Sequence, residues 1–413
     1  MLNSIYHKDI LPNGIRVVSE QIPSVHSVSI GVWVNTGSRF ETRENNGIAH
    51  FLEHMFFKGT ENRTAFEIAT SLESLGGNLN AATSKEVCFY TAHVLSEHLP
   101  IAVDVLADLL LNARFEPADI ELEKEVVSAE IKLYQESPED LVFDNFYELL
   151  YPDHPMGYRI HGTLENVLAF QRKDLIDFLT DQYTADRFVV AAAGKVEHNE
   201  LLEIVERFFG NVPPSRNKPN SRLTGSKRGR HVFENEVAQQ AHICLGSTGF
   251  KYGHEKRYAL GVLETLLGNG MGSRLFQNIR EKYGFAYNIY AFSDLMSDTG
   301  TFGVYVACAK DRVEKSIELI RNEFDLIRKN SITRDELERT KSQIRGSSLL
   351  SMESTGRRMR RLADMEMYLG EFKSLDELLA KVDAVTFDDI QEVADTLLRP
   401  EVLLTTILRT PGN

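Results

Sequence analysis

The segment GIAHFLEHMFFKGT, residues 47–60, carries two histidines four positions apart, His50 and His54, with Glu53 directly before the second. On an α-helix, residues four apart lie on one face at different heights, so both imidazoles can reach a single ion. Neutral imidazoles suit Zn²⁺, and a catalytic zinc site uses three protein ligands and leaves the fourth position to water. The segment therefore predicts an incomplete zinc site, with Glu53 close enough to touch a molecule bound to the same ion.

An amphipathic helix that happens to carry two histidines is the alternative interpretation, because such pairs are common as surface or packing residues. Here, however, the neighbouring Phe51, Leu52 and Met55 are apolar, so the polar side chains would be buried or would line a cleft. Unpaired polar groups in such a place cost several kcal/mol, and a metal ion would remove that cost. The order H-x-x-E-H is also an inverted zinc-peptidase motif, a hypothesis that its structural context has to support.

A third ligand is predicted on the long helix that FEPADIELEKEVVSAEIKLYQESPEDL, residues 115–141, would form. Glu123 and Glu130 are seven positions apart, which is two helical turns, and they share one face of that helix. Either carboxylate could complete the metal site, and the residues alone do not choose between them. In the alternative interpretation both belong to a solvated acidic face, like Glu121 and Glu125.

The bulk composition excludes several classes of function. A chain of 413 residues is too long for one ordinary core and predicts two or more domains. Its 60 acidic and 46 basic residues give a net charge of −14, which argues against a nucleic-acid partner. No apolar run approaches the roughly 20 residues that a membrane-spanning helix needs, so no membrane partner is expected. Cys88, Cys244 and Cys308 are widely spaced in apolar surroundings and indicate reduced core thiols of a cytoplasmic protein.

The two halves of the sequence share one order of elements. Residues 212–230, rich in Pro, Asn, Ser and Arg, predict a linker between an N-terminal domain at 1–211 and a C-terminal domain at 231–413. Adjacent strands followed by blocks of helices are typical of an α+β fold, with mainly antiparallel sheets covered by helices. When the two halves are aligned, the segment of the second half that corresponds to the histidine helix is YALGVLETLLGNG. This segment contains no histidine, so a metal site is predicted in the first domain only.

These residues and their spacing resemble the pitrilysin (insulinase-type) zinc metallopeptidases, the inverzincins. Over nearly its whole length the chain is most similar to short, two-domain bacterial members related to the β subunit of the mitochondrial processing peptidase. In that family a glutamate follows the motif at the distance at which Glu130 stands here, 76 positions after His54. The resemblance implies one zinc ion per chain, with His50, His54 and Glu130 as its ligands. It also implies that Glu53 is the general base and that Glu123 supports the ligands from outside.

Further segments resemble substrate-binding parts of the same family. LESLGGNLNAATSKEVCFYTAHV resembles the edge strand beside the metal, where the resemblance implies pairing with substrate backbone. GSRLFQNIREKYGFAYNIYAF resembles the part of the second domain that supplies an arginine and a tyrosine, here Arg280 and Tyr287, to steady substrate carbonyls and the developing oxyanion. A surface arginine and a strand-packing tyrosine are the alternative. The predicted substrate-binding residues are Gly77, Asn78, Leu79, Asn80, Ala81 and Ala82.

The expected function is that of a zinc-dependent endopeptidase that hydrolyses peptides or unstructured protein segments with metal-activated water and a glutamate base. The resemblance also implies a homodimer in the bacterial cytoplasm that encloses a clamshell chamber, with Arg280 and Tyr287 of one subunit approaching the zinc of the other. The alternative is a non-catalytic, processing-peptidase-like subunit for assembly or interaction. Inert relatives lose part of the ligand set or the base, and this sequence keeps all of these residues, which favours the enzyme.

Overall fold

The structure, a computed structural model, describes residues 4–215, 226–329 and 331–411, and these form two compact units. The described residues of the first unit lie within Met1–Ile131, Tyr158–Arg222 and Ser351–Phe372, and those of the second within Lys132–Gly157, Leu223–Leu350 and Lys373–Asn413. Two segments therefore depart from the predicted halves, because residues 132–157 belong to the second unit and residues 351–372 to the first. Residues 216–225 of the predicted linker lie outside the described residues.

The first unit contains a sheet of six strands. They are β1 (Ile5–Ile10), β2 (Arg16–Gln21), β3 (Ser27–Val34), β4 (Asn78–Thr83), β5 (Cys88–Leu95) and β6 (Phe188–Gly194). Their order across the sheet is β1-β2-β6-β3-β5-β4, in which β2 and β6 pair in parallel and the other pairs are antiparallel. This order places β4 at one edge, with β5 as its one neighbour among the described strands.

The second unit contains a sheet of five strands. They are β7 (Gly229–Glu234), β8 (Ala241–Gly249), β9 (Ala286–Leu295), β10 (Gly300–Cys308) and β11 (Leu404–Arg409). The order β7-β11-β8-β10-β9, with β7 and β11 parallel, repeats the order β2-β6-β3-β5-β4 of the first sheet strand for strand. The predicted fold of two similar, mainly antiparallel α+β domains is therefore confirmed.

Helices cover the faces of both sheets. The α-helices of the described residues are α1 (Ile48–Phe56), α2 (Ala65–Glu73), α3 (Leu99–Leu111), α4 (Pro117–Glu136), α5 (Pro138–Leu150), α6 (Leu164–Ala169), α7 (Arg172–Gln182), α8 (His198–Phe209), α9 (Arg257–Gly268), α10 (Val313–Arg328), α11 (Arg334–Ser351), α12 (Thr355–Tyr368), α13 (Leu375–Asp383) and α14 (Phe387–Leu397). None of them is both long and apolar enough to cross a membrane.

In the first unit both faces of the sheet are buried. On one face, Val32 and Tyr90 pack in a core with Phe51 and Phe56 of α1 and Leu106 of α3. On the other face, α12 lies against β2, β3 and β6, and its Met359 and Leu362 pack with Trp33. Because successive strand residues point to opposite faces, a strand covered on both sides is apolar along its whole length, as β3 and β6 are.

The second unit repeats this layering with its own helices. On one face of the sheet, Ile243 and Val304 pack with Leu263 of α9 and Ile320 of α10. On the other face, α5 lies against β8 and β11. The three cysteines of the two units are buried and form no disulfide, which confirms the predicted core thiols, Cys88, Cys244 and Cys308.

Candidate metal centre

Helix α1 presents its polar face beside strand β4. Phe51, Leu52, Met55 and Phe56 are fully buried, so burial of the apolar stripe determines how the helix is rotated about its axis. His50 and His54 project from the opposite side, and their rings meet edge to face with centroids 4.7 Å apart. The predicted helix and the predicted shared face of the two histidines are both present.

The start of α1 is held in place by a buried carboxylate. Glu41 accepts hydrogen bonds from the backbone N–H groups of Gly47 at 2.8 Å and Ala49 at 2.9 Å. A carboxylate at this position satisfies amide groups that lack partners within the helix. Burial raises the pKa of Glu41 to about 7, against the lowering effect of these hydrogen bonds. Gly47 has a φ of 100°, and a Cβ there would lie 2.7 Å from Gly162 Cα, so only glycine fits.

Helix α4 brings Glu130 to the two histidines. Glu130 Oε1 lies 3.6 Å from His50 Nε2, and Glu130 Oε2 lies 3.4 Å from His54 Nε2. One ligand atom from each of these three residues lies within 4.8 Å of the others, and they are the one such group in the described part of the chain. Ligands at about 2.0–2.2 Å from a tetrahedral zinc are about 3.4 Å apart, so the three side chains fit that ion.

His50 is suited to bind a metal as a neutral imidazole. Burial, with a further contribution from His54, lowers the pKa of His50 to about 4. Its other ring nitrogen, Nδ1, is buried and has no hydrogen-bond partner among the described residues. A neutral ring offers a lone pair to a cation without first losing a proton.

Glu123 contacts the opposite side of His54. Its Oε1 lies 2.8 Å from His54 Nδ1, and its other oxygen forms an ion pair with Lys58. Although burial alone would lower it, the carboxylates of Glu123 and Glu130 raise the pKa of His54 to about 9. A divalent cation at Nε2 would replace the proton there, while Glu123 would keep the proton on Nδ1 and fix the ring orientation.

Glu53 lies next to the three possible ligands and is held by a hydroxyl group. Thr83 Oγ1, at the end of β4, donates a hydrogen bond to Glu53 Oε2 at 2.5 Å. Burial raises the pKa of Glu53 above that of an ordinary carboxyl group, against the lowering effect of this hydrogen bond. A carboxylate with a raised pKa is better matched to proton transfer near neutral pH.

The sequence did not indicate Thr83 or Lys58 as parts of the site. Thr83 ends the strand-like run NLNAAT, and its hydroxyl reaches Glu53 only because β4 lies beside α1. Lys58 follows the end of α1, and its ammonium meets Glu123 of a distant helix. Neither contact has a local pattern in the sequence, since each depends on tertiary packing.

Replacement of Thr83 tests what its hydroxyl does for Glu53. With Glu53 as the general base of peptide hydrolysis, as the sequence resemblance implies, we expect Thr83→Val, which keeps the branched shape, to lower kcat about 10- to 100-fold, because the carboxylate loses its orienting donor. Thr83→Ser keeps the hydroxyl and should retain most of the rate, and both variants should bind as much zinc as the wild type. Steady-state kinetics with metal analysis measures this, and an unchanged kcat in Thr83→Val would remove Thr83 from the site.

The predicted substrate residues lie along the edge strand of the first sheet. Asn78 to Ala82 belong to β4, whose outer edge has no neighbouring strand in the part of the chain that the structure describes, and Gly77 directly precedes it. Such an edge exposes backbone N–H and C=O groups that a further extended chain can pair with. Because α1 packs beside β4 and Thr83 of β4 donates to Glu53, the end of this strand lies close to the helix that carries His50 and His54.

Arg280 and Tyr287 belong to the second unit, and their predicted catalytic role stays a prediction. Arg280 lies in a π-helical turn, Phe276–Glu281, with its guanidinium carbon 4.6 Å from the centroid of the Phe276 ring. Tyr287 lies on β9 and is 77% exposed, which differs from the strand-packing tyrosine considered as the alternative.

Two family sequence profiles match the chain. Residues 16–164 match the profile described as Insulinase (Peptidase family M16), and residues 169–344 match the profile described as Peptidase M16 inactive domain. A protein of Bacillus subtilis named uncharacterized zinc protease YmxG is 40% identical over 405 residues, which is 97% of either chain. The uncharacterized zinc protease Rv2782c of Mycobacterium tuberculosis is 40% identical over 394 residues, 94% of this chain and 90% of its own.

Two solved structures share the fold at low sequence identity. A protease from Helicobacter pylori superposes with a TM-score of 0.92 at 22% identity, over 99% of this chain and 100% of the other. A Pseudomonas fluorescens structure described as a peptidase M16 inactive domain also gives 0.92, at 19% identity, over 99% and 98% of the two chains. The two profiles cover most of the chain, and relatives over nearly its whole length are named zinc proteases. The chain belongs to peptidase family M16, the insulinase family, as the sequence resemblance predicted.

Proposed function

We propose that the protein is a zinc-dependent endopeptidase that hydrolyses peptides or unstructured protein segments, with one zinc ion per chain. The observation that carries the proposal is the convergence of His50, His54 and Glu130 within 4.8 Å, with the Glu53 carboxylate beside them. The names of the relatives, which call them zinc proteases, agree with this chemistry.

The positions of the residues support the following proposed roles. His50, His54 and Glu130 would hold the zinc ion, which when bound polarises the scissile carbonyl and acidifies an attacking water. Glu53 accepts the proton of that water and then hands it to the leaving amine. Thr83 keeps one oxygen of Glu53 engaged, so the other oxygen is directed to the proton transfer.

The substrate would lie in an extended conformation along β4. Main-chain hydrogen bonds to the open edge of β4 bind the backbone of a peptide and do not depend on its side chains, so peptides of many sequences can bind. A folded protein cannot present an extended strand there without first unfolding locally. The proposed substrate class is therefore an extended peptide or an unfolded segment.

Cleavage of one substrate protein in its folded and its unfolded state tests this proposal. A small disulfide-bonded protein should resist cleavage when oxidised and should be cut after reduction and alkylation, because only the unfolded form can pair with β4. Gel electrophoresis and mass spectrometry measure the products. Equal cleavage of both forms would contradict the substrate class, and no cleavage of either would favour the non-catalytic, processing-peptidase-like subunit.

The assembly is a separate proposal. We propose a bacterial cytoplasmic homodimer that encloses a chamber, on the resemblance to two-domain family members, with Arg280 and Tyr287 acting on substrate bound to the partner chain. Sedimentation velocity of the zinc-loaded protein should give twice the mass of the chain. A monomer with full peptidase activity would contradict the shared chamber.

A further inference from the structure

The second unit repeats the pair formed by Thr83 and Glu53. In the first sheet Thr83 pairs with Cys88 of β5, on the face that the helices cover. In the second sheet Ser293 of β9 pairs with Phe302 of β10, also on the helix-covered face and at the same end of the equivalent strand. Thr83 and Ser293 therefore lie on the same face and near the same end of equivalent strands in the two sheets.

Each of these hydroxyl groups donates to a glutamate on the helix packed beside it. Ser293 Oγ donates to Glu264 Oε2 of α9 at 2.5 Å, the same distance at which Thr83 Oγ1 donates to Glu53. When Glu264 is aligned with Glu53, GVLET at 261–265 of α9 corresponds to HFLEH at 50–54 of α1. The second unit has thus replaced both histidines, by Gly261 and Thr265, and has kept the carboxylate between them.

Glu53 lies near His54, whereas Glu264 has no cationic side chain beside it among the described residues. Its two donors, Ser293 and Asn269, are both neutral, and the Glu264 carboxylate forms no ion pair with any described residue. Burial raises its pKa above that of an ordinary carboxyl group. A half-buried carboxylate with only neutral partners gains more from a cation than a solvated one does, because fewer water molecules compete for it.

There is open space one helical turn from this carboxylate. A Cβ added at Gly261 would meet no atom within 4 Å, and Gly261 lies three positions before Glu264, so the two are neighbours on one helix face. The hydroxyl of Thr265 donates back to the Gly261 carbonyl at 2.8 Å and so does not fill the space. Gly261, which is equivalent to His50 of the first unit, has no side chain and leaves this position open.

We propose that Glu264, with Ser293 and Asn269, forms a binding site for a cationic group of the peptide substrate, an ammonium or a guanidinium. The site has an acceptor for the charge in Glu264, space for the group above Gly261, and an approach along β9, the edge strand of the second sheet. The inference rests on the proposed peptidase function. It adds to that function a preference for basic peptides, set by the unit that has lost its metal ligands.

Binding of a peptide series to inactive protein tests the site. The probes are fluorescein-labelled, N-acetylated peptides with a single lysine moved stepwise along an otherwise uncharged, unstructured sequence, each compared with its norleucine counterpart. The protein is the zinc-loaded Glu53→Gln chain, and fluorescence anisotropy gives Kd. At one or more positions we expect lysine to bind about tenfold more tightly than norleucine, as for a charged hydrogen bond at a partly buried site.

The second variant, Glu53→Gln with Glu264→Gln, should lose that difference, because glutamine keeps the hydrogen bonds but not the charge. The matched control combines Glu53→Gln with Glu255→Gln, which removes an exposed charge of the same unit and should keep the difference. Thermal unfolding checks that the variants stay folded. Norleucine peptides with a free N-terminus form the second arm, and tighter binding that depends on Glu264 there would assign the site to a terminal ammonium.

Two results would overturn the cation site. One is equal binding of lysine and norleucine peptides in both arms, and the other is a lysine preference that survives Glu264→Gln. Cleavage of peptides by the wild-type chain tests the proposed function separately. If cleavage is found and the lysine preference is not, only the cation site is refuted.

Discussion

Glu53→Gln will abolish peptide hydrolysis while the chain keeps its zinc. The amide retains the size of the carboxylate and can still accept the hydrogen bond from Thr83, so the packing around α1 is preserved. It cannot take a proton from the attacking water, however, and general-base catalysis typically contributes about 10²- to 10⁴-fold to the rate. We therefore expect kcat/KM on a quenched fluorescent peptide to fall by about that factor or more.

Glu125→Gln is the matched control for this prediction. Glu125 is exposed on α4, so the substitution removes the same charge outside the site and should leave hydrolysis and zinc content unchanged. Full activity in Glu53→Gln would assign the base to another residue. Loss of zinc together with activity would mean that Glu53 holds the metal and does not transfer the proton.

Glu130→Ala will remove the zinc itself. The three ligand atoms come from two helices, and Glu130 is the sole contribution of α4 to the group. Loss of an outer partner of a metal ligand already weakens metal binding about 10- to 100-fold, and loss of a direct ligand should weaken it more. We expect zinc content after dialysis to fall well below one ion per chain, and peptide hydrolysis to fall with it.

The control for Glu130 is Glu125→Ala on the same helix, with metal content measured by inductively coupled plasma mass spectrometry. Unchanged zinc content in Glu130→Ala would assign the third ligand elsewhere, and Glu123 is the nearest other candidate, since it already contacts His54. In that case Glu123→Ala should empty the site instead. The two variants together therefore show whether Glu130 or Glu123 is the third metal ligand, a choice that the sequence pattern alone did not make.

The sequence was sufficient for the parts of the site that local periodicity controls. The apolar residues around His50 and His54 predicted both the helix and its buried stripe, because a 3.6-residue period leaves one face for the core. The shared face of Glu123 and Glu130 followed from the same period, and both reach the histidines in the structure. The choice between them needed the family resemblance.

Contacts between distant elements were not predictable in this way. Helix α12 packs on the first sheet and α5 on the second, although each is encoded in the other half of the chain. An amphipathic pattern shows that a helix has a buried face, but it does not show which sheet that face covers. The hydrogen bond from Ser293 to Glu264 was not predictable either, because its similarity to the bond from Thr83 to Glu53 is seen only when the strand pairings of the two sheets are compared.

Digestion of an unstructured peptide library by the zinc-loaded wild-type chain, analysed by mass spectrometry, is the sharpest test of the proposed zinc peptidase activity. The library is incubated with three samples of the protein: the protein as purified, the protein after a chelator has removed its metal, and the metal-free protein after addition of zinc alone. The Glu53→Gln variant, purified in parallel, serves as the control for a contaminating protease. We expect internal cleavage products that disappear with the chelator, return with zinc and are absent with Glu53→Gln. Products that persist without metal, or a zinc-loaded wild-type chain that cuts no peptide, would contradict the proposed activity.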